Sequence, residues 1–386
     1  MKSLQTTHEV LVRQVAEILP SRKGLEKVMK KKKIRLYLGV DPTGKHLHLG
    51  HAIALRKLQQ FADLGHEAIL LIGTGTVLAG DPSQRTTARP LITQEEIKEN
   101  IKTWRKQAAK VVDFSKVKVR FNGDWLLKLR LPEIVRIASN ISAAQLFQRD
   151  MFQERLKRGD TVWTHEILYP VLQGYDSVAL DVDLEIGGTD QLFNMLVGRE
   201  LQKKMRNREK YVLCTPMLLG LDGRPMSKTS GNMVNILDAP QEMYGKLMSM
   251  KDELISHYFE LCTEVPSQET KGLAPREAKA RLAREIGALY HGAPAAKKAE
   301  QEFNRIFREK QLPSNIPRVA LKAKELSLLD LIIQTGLAHS KAEARRLVEQ
   351  RGVKINGETQ ENWRAAVKIQ EGTVVQAGKR RFVEIG

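Results

Sequence analysis

The stretch from Arg35 to His51, RLYLGVDPTGKHLHLGH, constrains the fold of this chain more than any other part of the sequence. It begins with β-forming residues, turns at Asp41-Pro42-Thr43-Gly44, and continues as an amphipathic pattern that predicts a helix from about Gly50. His48 and His51 are three residues apart at the first helical turn. They therefore share one face, beside backbone N–H groups that have no partner inside a helix. The pattern predicts an anion site, and phosphate is the obvious anion.

Two other interpretations of His48 and His51 stay open at this point. Histidines near the start of a helix are often ordinary surface residues. A zinc site would need further Cys, His or carboxylate ligands at suitable spacing, and the flanking sequence offers none. The sequence therefore predicts no metal held directly by protein ligands.

The complete string resembles a known family motif. His-Leu-Gly-His after a strand and an Asp-Pro-Thr turn resembles the HIGH motif of class I aminoacyl-tRNA synthetases, and Tyr-Leu-Gly-Val-Asp-Pro-Thr resembles the tyrosine-specific branch. This resemblance implies a Rossmann-like α/β domain with a parallel sheet. It also implies catalytic roles for Thr43, His48 and His51, and an ATP site that includes Gly39, Asp41, His48, Gly50 and His51.

The bulk properties agree with a nucleic-acid partner. Lys and Arg number 63 and Asp and Glu 45 among 386 residues, giving a net charge of +18 and a pI near 9.8. Such a balance favours a polyanionic partner, although a merely soluble basic protein has the same composition. Cys214 and Cys262 are too few and too far apart to indicate a disulfide framework. We expect a cytoplasmic protein without a signal peptide or membrane span.

A second buried strand, Ala68 to Ile72, precedes two turn segments, Gly73-Thr74-Gly75 and Gly80-Asp81-Pro82-Ser83. Four residues separate the G-x-G from the next Gly, so the spacing does not fit a dinucleotide fingerprint. Asp81 could be a simple turn residue. The family resemblance instead implies that it binds the ammonium group of the amino-acid substrate.

The segment from Trp163 to Leu180 predicts a helix interrupted by Pro170. Tyr169, Gln173 and Asp176 lie at i, i+4 and i+7, so they share one face. A solvent-facing polar stripe is the alternative. The pattern Y-x-x-x-Q-x-x-D resembles the tyrosine-binding helix of the family. The resemblance implies that Tyr37 and Asp176 bind the phenol hydroxyl, and that Tyr169, Gln173 and Asp81 meet the ammonium group.

Two later segments resemble the nucleotide side of the family's site. Gly-Gly-Thr-Asp-Gln follows a predicted strand, Leu184 to Gly187. It implies ATP contacts from Gly188 and Asp190, and places Gln191 near the reacting carboxyl group. The loop Asp222 to Asn232 resembles the KMSKS loop, which closes over the triphosphate. Pro225 replaces the first lysine, leaving Met226 and Lys228 in the ATP site and Arg224 as a candidate source of the missing charge.

The resemblance implies three domains. Residues 1–220 would form the catalytic domain with a helical insertion at about 122–162, residues 221–312 the KMSKS-type loop and a helical anticodon-binding domain, and residues 318–386 a small α+β RNA-binding domain. The last segment has 13 Lys and Arg against 8 Asp and Glu. It resembles the fold named after ribosomal protein S-four, which implies RNA contacts from Lys341, Arg345 and Arg346. We also expect one helix over Thr6 to Leu19 and another over Ile92 to Lys110.

The resemblance covers nearly the whole chain and implies a ligase that activates tyrosine with ATP and transfers it to tRNA(Tyr). Magnesium would be bound through ATP or pyrophosphate, and the enzyme would be a homodimer. Three alternatives remain at this stage: a tryptophan–tRNA ligase, a non-catalytic RNA-binding paralogue, and an RNA-modifying enzyme with the same tail.

Overall fold

The computed structural model describes residues 6–83, 92–226, 230–309, 311–321, 323–378 and 381–386. The chain divides into two compact units, Met1–Ala299 and Glu300–Gly386. The strands of the first unit are β1 (Glu17–Leu19), β2 (Arg35–Val40), β3 (Glu67–Ile72), β4 (Val117–Phe121), β5 (Leu184–Gly188) and β6 (Tyr211–Thr215).

The helices of the first unit surround this sheet and continue beyond it. They are α1 (Thr7–Val10), α2 (Arg22–Lys31), α3 (Leu49–Asp63), α4 (Thr76–Ala79), α5 (Gln94–Ile101), α6 (Trp104–Ala108), α7 (Gly123–Leu126), α8 (Leu131–Ala138), α9 (Ala143–Phe147), α10 (Asp150–Lys157), α11 (Thr164–Leu180), α12 (Leu192–Arg206), α13 (Pro240–Met248), α14 (Ile255–Cys262) and α15 (Pro275–His291). The division between the units falls within α16 (Ala293–Phe307).

The sheet of the first unit has the order β1-β6-β5-β2-β3-β4, and β1 alone among these strands runs antiparallel to its neighbour. Its central strands are almost continuously apolar, as expected for strands covered by helices on both faces. The chain passes from β2 to β3 on one side and from β5 to β6 on the other. A crevice therefore opens at the carboxyl ends of β2 and β5, where open parallel sheets bind their ligands. The predicted parallel α/β domain is confirmed.

The prediction of one helix over Thr6 to Leu19 is wrong. The helix α1 ends at Val10, and Gln14 has a left-handed φ of 56° while its amide donates to the carbonyl of Leu261 at 3.0 Å. The following residues pair with β6 as β1, which buries Ile18. Tertiary pairing at the sheet edge thus outweighs the local helical pattern.

The predicted helix over Ile92 to Lys110 is two helices, α5 and α6, and residues 84–91 before it lie outside the described structure. The break turns Trp104 and Gln107 toward the turn after β2. The indole of Trp104 donates to the carbonyl of Gly44 at 2.8 Å, and the Gln107 amide bonds both Lys45 and Leu47. These bonds hold the turn that leads into α3.

Residues 122–162 are all described, and they form α7 to α10 without a strand. Leu146 and Phe152, on two of these helices, are buried inside the chain at 6% and 0% exposure.

The second unit is a small α+β fold. Its elements are β7 (Arg318–Val319), β8 (Glu325–Ser327), α17 (Leu328–Gln334), α18 (Lys341–Glu349), β9 (Val353–Ile355), β10 (Glu358–Thr359), β11 (Ala366–Lys368), β12 (Val374–Ala377) and β13 (Arg381–Ile385). Five strands form a sheet in the order β10-β9-β12-β13-β7, and β8 pairs with β11. The two helices and the sheet enclose a core that includes Leu331, Val348 and Val375.

Candidate active site

A cavity of about 340 Å³ lies in the crevice at the carboxyl ends of β2 and β5. Fifteen of the sixteen residues that the sequence assigned to tyrosine, ATP or catalysis line it. They are Tyr37, Gly39, Asp41, Thr43, His48, Gly50, His51, Asp81, Tyr169, Gln173, Asp176, Gly188, Asp190, Gln191 and Met226. Lys228, the sixteenth, lies outside the described residues.

The N-terminus of α3 presents both histidines to this cavity. His48 is the N-cap residue, and its backbone N–H donates to Nδ1 of His51 at 3.2 Å. The two imidazole rings lie 3.9 Å apart between centroids. Because the first helical turn leaves backbone N–H groups available and carries a positive partial charge, this end of the cavity suits an anion.

Tyr37 and Asp176 form the buried end of the cavity, at 0% and 2% exposure. The Tyr37 hydroxyl is bonded to Oγ of Ser177 at 3.0 Å. Asp176 accepts from Nε1 of Trp125 at 2.9 Å and from Nδ2 of Asn122 at 3.0 Å. Burial raises the pKa of the Tyr37 phenol and the pKa of the Asp176 carboxyl well above their ordinary values.

Tyr169, Gln173 and Asp176 form the polar stripe of α11, and all three line the cavity. The Tyr169 hydroxyl donates to Oδ2 of Asp41 at 3.0 Å, and Nε2 of Gln173 donates to Oε1 of Glu185 at 3.1 Å. Thr76 also donates to Asp41, at 2.7 Å. Tyr169 and Asp41, expected on the tyrosine and ATP sides respectively, are therefore joined directly.

An acidic cluster lies on the opposite wall. Nε2 of Gln191 donates to Asp81 at 2.9 Å and to Asp190 at 3.0 Å. Burial and the nearby charge of Asp81 raise the pKa of Asp190, opposed in part by the bond from Gln191. Arg149 supplies a nearby positive charge, and its guanidinium donates to the Ser83 hydroxyl at 2.5 Å, which in turn bonds Asp81. This wall can attract cationic or hydroxyl groups.

The loop after β6 reaches the cavity through Pro225 and Met226, while Ser227, Lys228 and Thr229 lie outside the described residues. Arg224, the candidate replacement for the lysine missing at Pro225, is turned toward Asp222 instead. Its guanidinium bonds that carboxylate at 2.7 Å and is 75% exposed. Among the described residues, Arg224 therefore makes no contact that supports the compensating role.

Sequence patterns missed five residues that support the cavity walls: Asn122, Trp125, Ser177, Glu185 and Lys210. Asn122 follows β4 at the ligand-binding edge of the sheet, so its position alone could have identified it. Glu185 sits between apolar residues of a buried strand, and a charge there signals a partner. Nothing in the local sequence identifies Ser177 or Trp125, because their partners are distant in the chain.

The predicted RNA-binding residues lie on α18 of the second unit. Lys341 pairs with Asp330 at 3.4 Å, and Arg345 pairs with Glu349 at 2.7 Å while its guanidinium covers the Trp363 ring at 4.7 Å. Arg346 is exposed. Within the described ranges, no group of three His, Cys, Asp or Glu side chains could hold a metal ion, and no helix is long and apolar enough to cross a membrane.

Comparison with known proteins gives a consistent result. A family model described as class I tRNA synthetases (W and Y) matches residues 29–308, and one described as the tyrosine–tRNA ligase SYY-like C-terminal domain matches residues 309–385. The tyrosine–tRNA ligase of Thermotoga maritima is 42% identical over 98% of this chain and 96% of the relative. Tyrosine–tRNA ligase 2 of Vibrio cholerae is 39% identical over 100% of this chain and 99% of the relative.

Solved structures share the fold at lower identity. A C-terminally truncated mitochondrial tyrosyl-tRNA synthetase of Aspergillus nidulans has a TM-score of 0.67 and 22% identity, covering 80% of this chain and 95% of that one. The tyrosyl-tRNA synthetase of Archaeoglobus fulgidus, solved with L-tyrosine, has a TM-score of 0.62 and 22% identity, covering 76% of this chain and 98% of that one.

Proposed function

This chain belongs to the class I tRNA synthetases of the tryptophan and tyrosine group, and on that premise we propose that it is a tyrosine–tRNA ligase. The observation that carries the proposal is the cavity itself. One end has a helix N-terminus with His48 and His51, and the other has a buried polar floor of Tyr37 and Asp176. A molecule that fits both ends combines a phosphate with a phenol, as tyrosyl-adenylate does.

The chemistry needs no protein nucleophile. The tyrosine carboxylate attacks the α-phosphorus of ATP, the bond to the β-phosphate oxygen breaks, and pyrophosphate leaves. The tyrosyl group then passes from the adenylate to the 3′ adenosine of tRNA(Tyr), releasing AMP. Rate depends on positioning and on donors that stabilise charge at phosphorus and on the leaving group. Thr43, His48, His51 and Lys228 supply these donors, with the imidazoles acting as hydrogen-bond donors and not as bases.

Gly39, Asp41, Gly50, Gly188, Asp190 and Met226 complete the nucleotide side in this proposal. Magnesium would enter with ATP as its phosphate complex and neutralise charge on the phosphates. Asp190 gives the ribose hydroxyls an acceptor. The bonds from Gln191 to Asp81 and Asp190 keep Gln191 near the reacting carboxylate.

Specificity rests on the buried floor. The phenol hydroxyl meets Tyr37 and Asp176, and phenylalanine would leave these buried polar groups without a substrate partner. Asp81, Tyr169 and Gln173 receive the ammonium group. A tryptophan–tRNA ligase shares the fold, but this polar floor and the match of residues 309–385 to a tyrosine–tRNA ligase domain favour tyrosine.

Domain roles follow the proposed activity. Residues 1–220 catalyse both steps together with the KMSKS-type loop. Residues 221–312 carry that loop and contact the anticodon arm, and residues 318–386 bind tRNA through Lys341, Arg345 and Arg346. A positive helix reads folded RNA mainly through phosphates and shape. The two cysteines are free and buried, which suits a reducing cytoplasmic location.

The enzyme is a homodimer in this proposal, with the exposed apolar face of α8 as the contact. Leu131 and Val135 are 72% and 58% exposed on that helix, and Leu127 is 57% exposed just before it. Apolar side chains clustered in this way are typical of an interface. In sedimentation experiments the unchanged chain should be a dimer and Val135→Glu a monomer. If both proteins sediment as dimers, this face is not the interface.

Amino-acid-dependent exchange of pyrophosphate into ATP tests the activity directly, with each of the twenty amino acids and Mg²⁺. Exchange with tyrosine alone supports the proposal, and exchange with tryptophan favours the alternative specificity. No exchange by folded protein would favour an RNA-binding paralogue, in which Pro225→Lys is the first reversion to make.

A further inference from the structure

A buried ion pair lies directly behind the wall of the cavity that α11 provides. Lys210, next to β6, and Glu185, within β5, have side chains that are 0% and 2% exposed, and the ammonium of Lys210 contacts the Glu185 carboxylate. The same ammonium donates to Oγ of Ser177 at 2.8 Å. The free-energy cost of removing two charges from water often exceeds the energy of their attraction. A contribution to stability therefore does not by itself explain this pair.

The partner of Glu185 on the cavity side is Gln173. Nε2 of Gln173 donates to Oε1 of Glu185 at 3.1 Å. The other amide atom, Oε1 of Gln173, is buried and has no hydrogen-bond partner among the described residues. A carboxylate can only accept hydrogen bonds, so it forces the amide to turn its nitrogen inward and leave its oxygen as an acceptor at the cavity wall.

We propose that the Lys210–Glu185 pair positions the side chains of the tyrosine pocket, so that it determines which of their atoms donate and which accept hydrogen bonds. Glu185 holds the Gln173 amide with its oxygen toward the substrate ammonium, and Lys210 supplies the opposite charge that a buried carboxylate requires. Neither residue touches the substrate in this arrangement. The inference rests on the proposed function, because the ammonium that Gln173 receives is that of tyrosine.

The same pair reaches the other end of the pocket through Ser177. Oγ of Ser177 accepts from Lys210 and lies 3.0 Å from the Tyr37 hydroxyl and 3.3 Å from Oε2 of Glu185. Ser177 therefore links the pair to the floor that meets the phenol, while Gln173 links it to the ammonium end. Because the hydroxyl of Ser177 can both donate and accept, its contact with Tyr37 can persist when the orientation of the Gln173 amide changes.

The substitution Glu185→Gln gives a directional test. Lys210 can only donate, so it would capture the amide oxygen of the new glutamine, whose nitrogen would then face Gln173. Gln173 would turn over and present its own N–H groups to the ammonium. We expect the dissociation constant of tyrosine to rise at least about tenfold, whereas that of 3-(4-hydroxyphenyl)propanoate, which lacks the ammonium, stays within about twofold.

The double variant Lys210→Met with Glu185→Gln is the matched comparison, because it removes the lysine that dictates the orientation. It leaves no buried charge without a partner, so it answers the question even if Glu185→Gln alone does not fold. We expect it to bind tyrosine more tightly than Glu185→Gln and more weakly than the unchanged chain. Lys57→Met, which removes another buried lysine, one bonded to the carbonyls of Val10 and Arg13, should leave the binding of both ligands unaffected.

Calorimetric titration of the full chain, with a thermal melt of each variant, separates the outcomes. Selective loss of tyrosine binding supports the positioning role. Equal weakening of both ligands, or no change in either, would overturn it and leave the pair as a structural feature. If the unchanged chain neither binds tyrosine nor supports exchange with it, the proposed function fails first, whatever the variants do.

Discussion

The hydroxyl of Tyr169 donates to the carboxylate of Asp41 at 3.0 Å. This bond joins a helix that faces the proposed tyrosine pocket to the turn that leads to His48 and His51, the proposed phosphate-binding residues. Asp41 also accepts from Thr76, and Thr76 accepts from Asn122, whose amide reaches Asp176. A continuous set of hydrogen bonds therefore runs from the floor of the cavity to its nucleotide side. Binding of the two substrates should respond together when the bonds that Asp41 accepts are disturbed.

Gly73→Ala tests this connection. An added Cβ would lie 1.8 Å from Oδ1 of Asp41 and 2.5 Å from Oγ1 of Thr76, so Asp41 must move and lose its bonds. We expect the KM values for tyrosine and for ATP both to rise about tenfold or more in pyrophosphate exchange. Thr76→Ser, which keeps the hydroxyl, should leave both values within about twofold. A rise in only one KM for Gly73→Ala would contradict the connection.

Trp125→Phe should act on tyrosine alone. The indole is one of two side chains that donate to the buried Asp176, and these bonds oppose the effect of burial on its pKa. Loss of one donor costs about 1 kcal/mol and raises the pKa of Asp176 further. We expect the KM for tyrosine to rise about five- to tenfold in exchange assays, with the KM for ATP unchanged.

The control for that substitution is Trp163→Phe, an indole that is 53% exposed. It should match the unchanged chain in both KM values. If Trp125→Phe and Trp163→Phe have the same KM for tyrosine, the indole bond to Asp176 does not support substrate binding.

Lys57 gives a prediction for stability against pH. Its side chain is buried between backbone carbonyls, and burial lowers its pKa from 10.5 to about 7. Between these values the unfolded chain binds more protons than the folded chain, so this residue makes stability rise with pH. Below pH 7 the cost of burying the charge is fully present. The contribution to the free energy of unfolding has a slope of at most about 1.4 kcal/mol per pH unit.

Urea denaturation of the unchanged chain and of Lys57→Met, at about pH 6.5, 8 and 9.5, measures this contribution. As pH increases, the free energy of unfolding of the unchanged chain should rise relative to that of Lys57→Met. Parallel pH profiles for the two proteins would show that Lys57 does not titrate in this window.

Arg346→Glu should separate the two steps of the reaction. Arg346 is exposed on α18, and reversing its charge should weaken tRNA binding. The slope of the logarithm of the binding constant against the logarithm of salt concentration should fall by about one, as expected for the loss of one phosphate contact. Tyrosine-dependent exchange should not change, because it needs no RNA. Arg22→Glu makes the same charge change at an exposed position on α2 and serves as the control. Equal loss of charging in both variants would point to a general effect of net charge.

The sequence predicted the strands and cavity-lining residues of this fold well where the information is local. The predicted strand Ala68 to Ile72 lies within β3, and the spacing of Tyr169, Gln173 and Asp176 correctly placed them on one face of α11. Helix periodicity failed over Thr6 to Leu19, where a partner strand more than 190 residues away decides the structure.

The bonding partners of the site residues could not be predicted in the same way. Tyr37 bonds Ser177, 140 residues away, and Asp176 bonds Trp125, 51 residues away. No motif spacing encodes such distances, because they depend on which strands become neighbours in the sheet. The family resemblance supplied the lining residues but not the second set of side chains that orients them.

The ion pair between Lys210 and Glu185 also limits how this pocket can change over evolutionary time. Substituting either residue alone leaves a charge without its counterpart in a dry environment, which costs about 3–5 kcal/mol of stability. A variant that prefers another amino acid, and so needs different hydrogen-bond donors and acceptors on this wall, must therefore exchange both residues together or pass through an unstable intermediate. Libraries built to recruit unnatural amino acids should vary positions 185 and 210 as a linked pair.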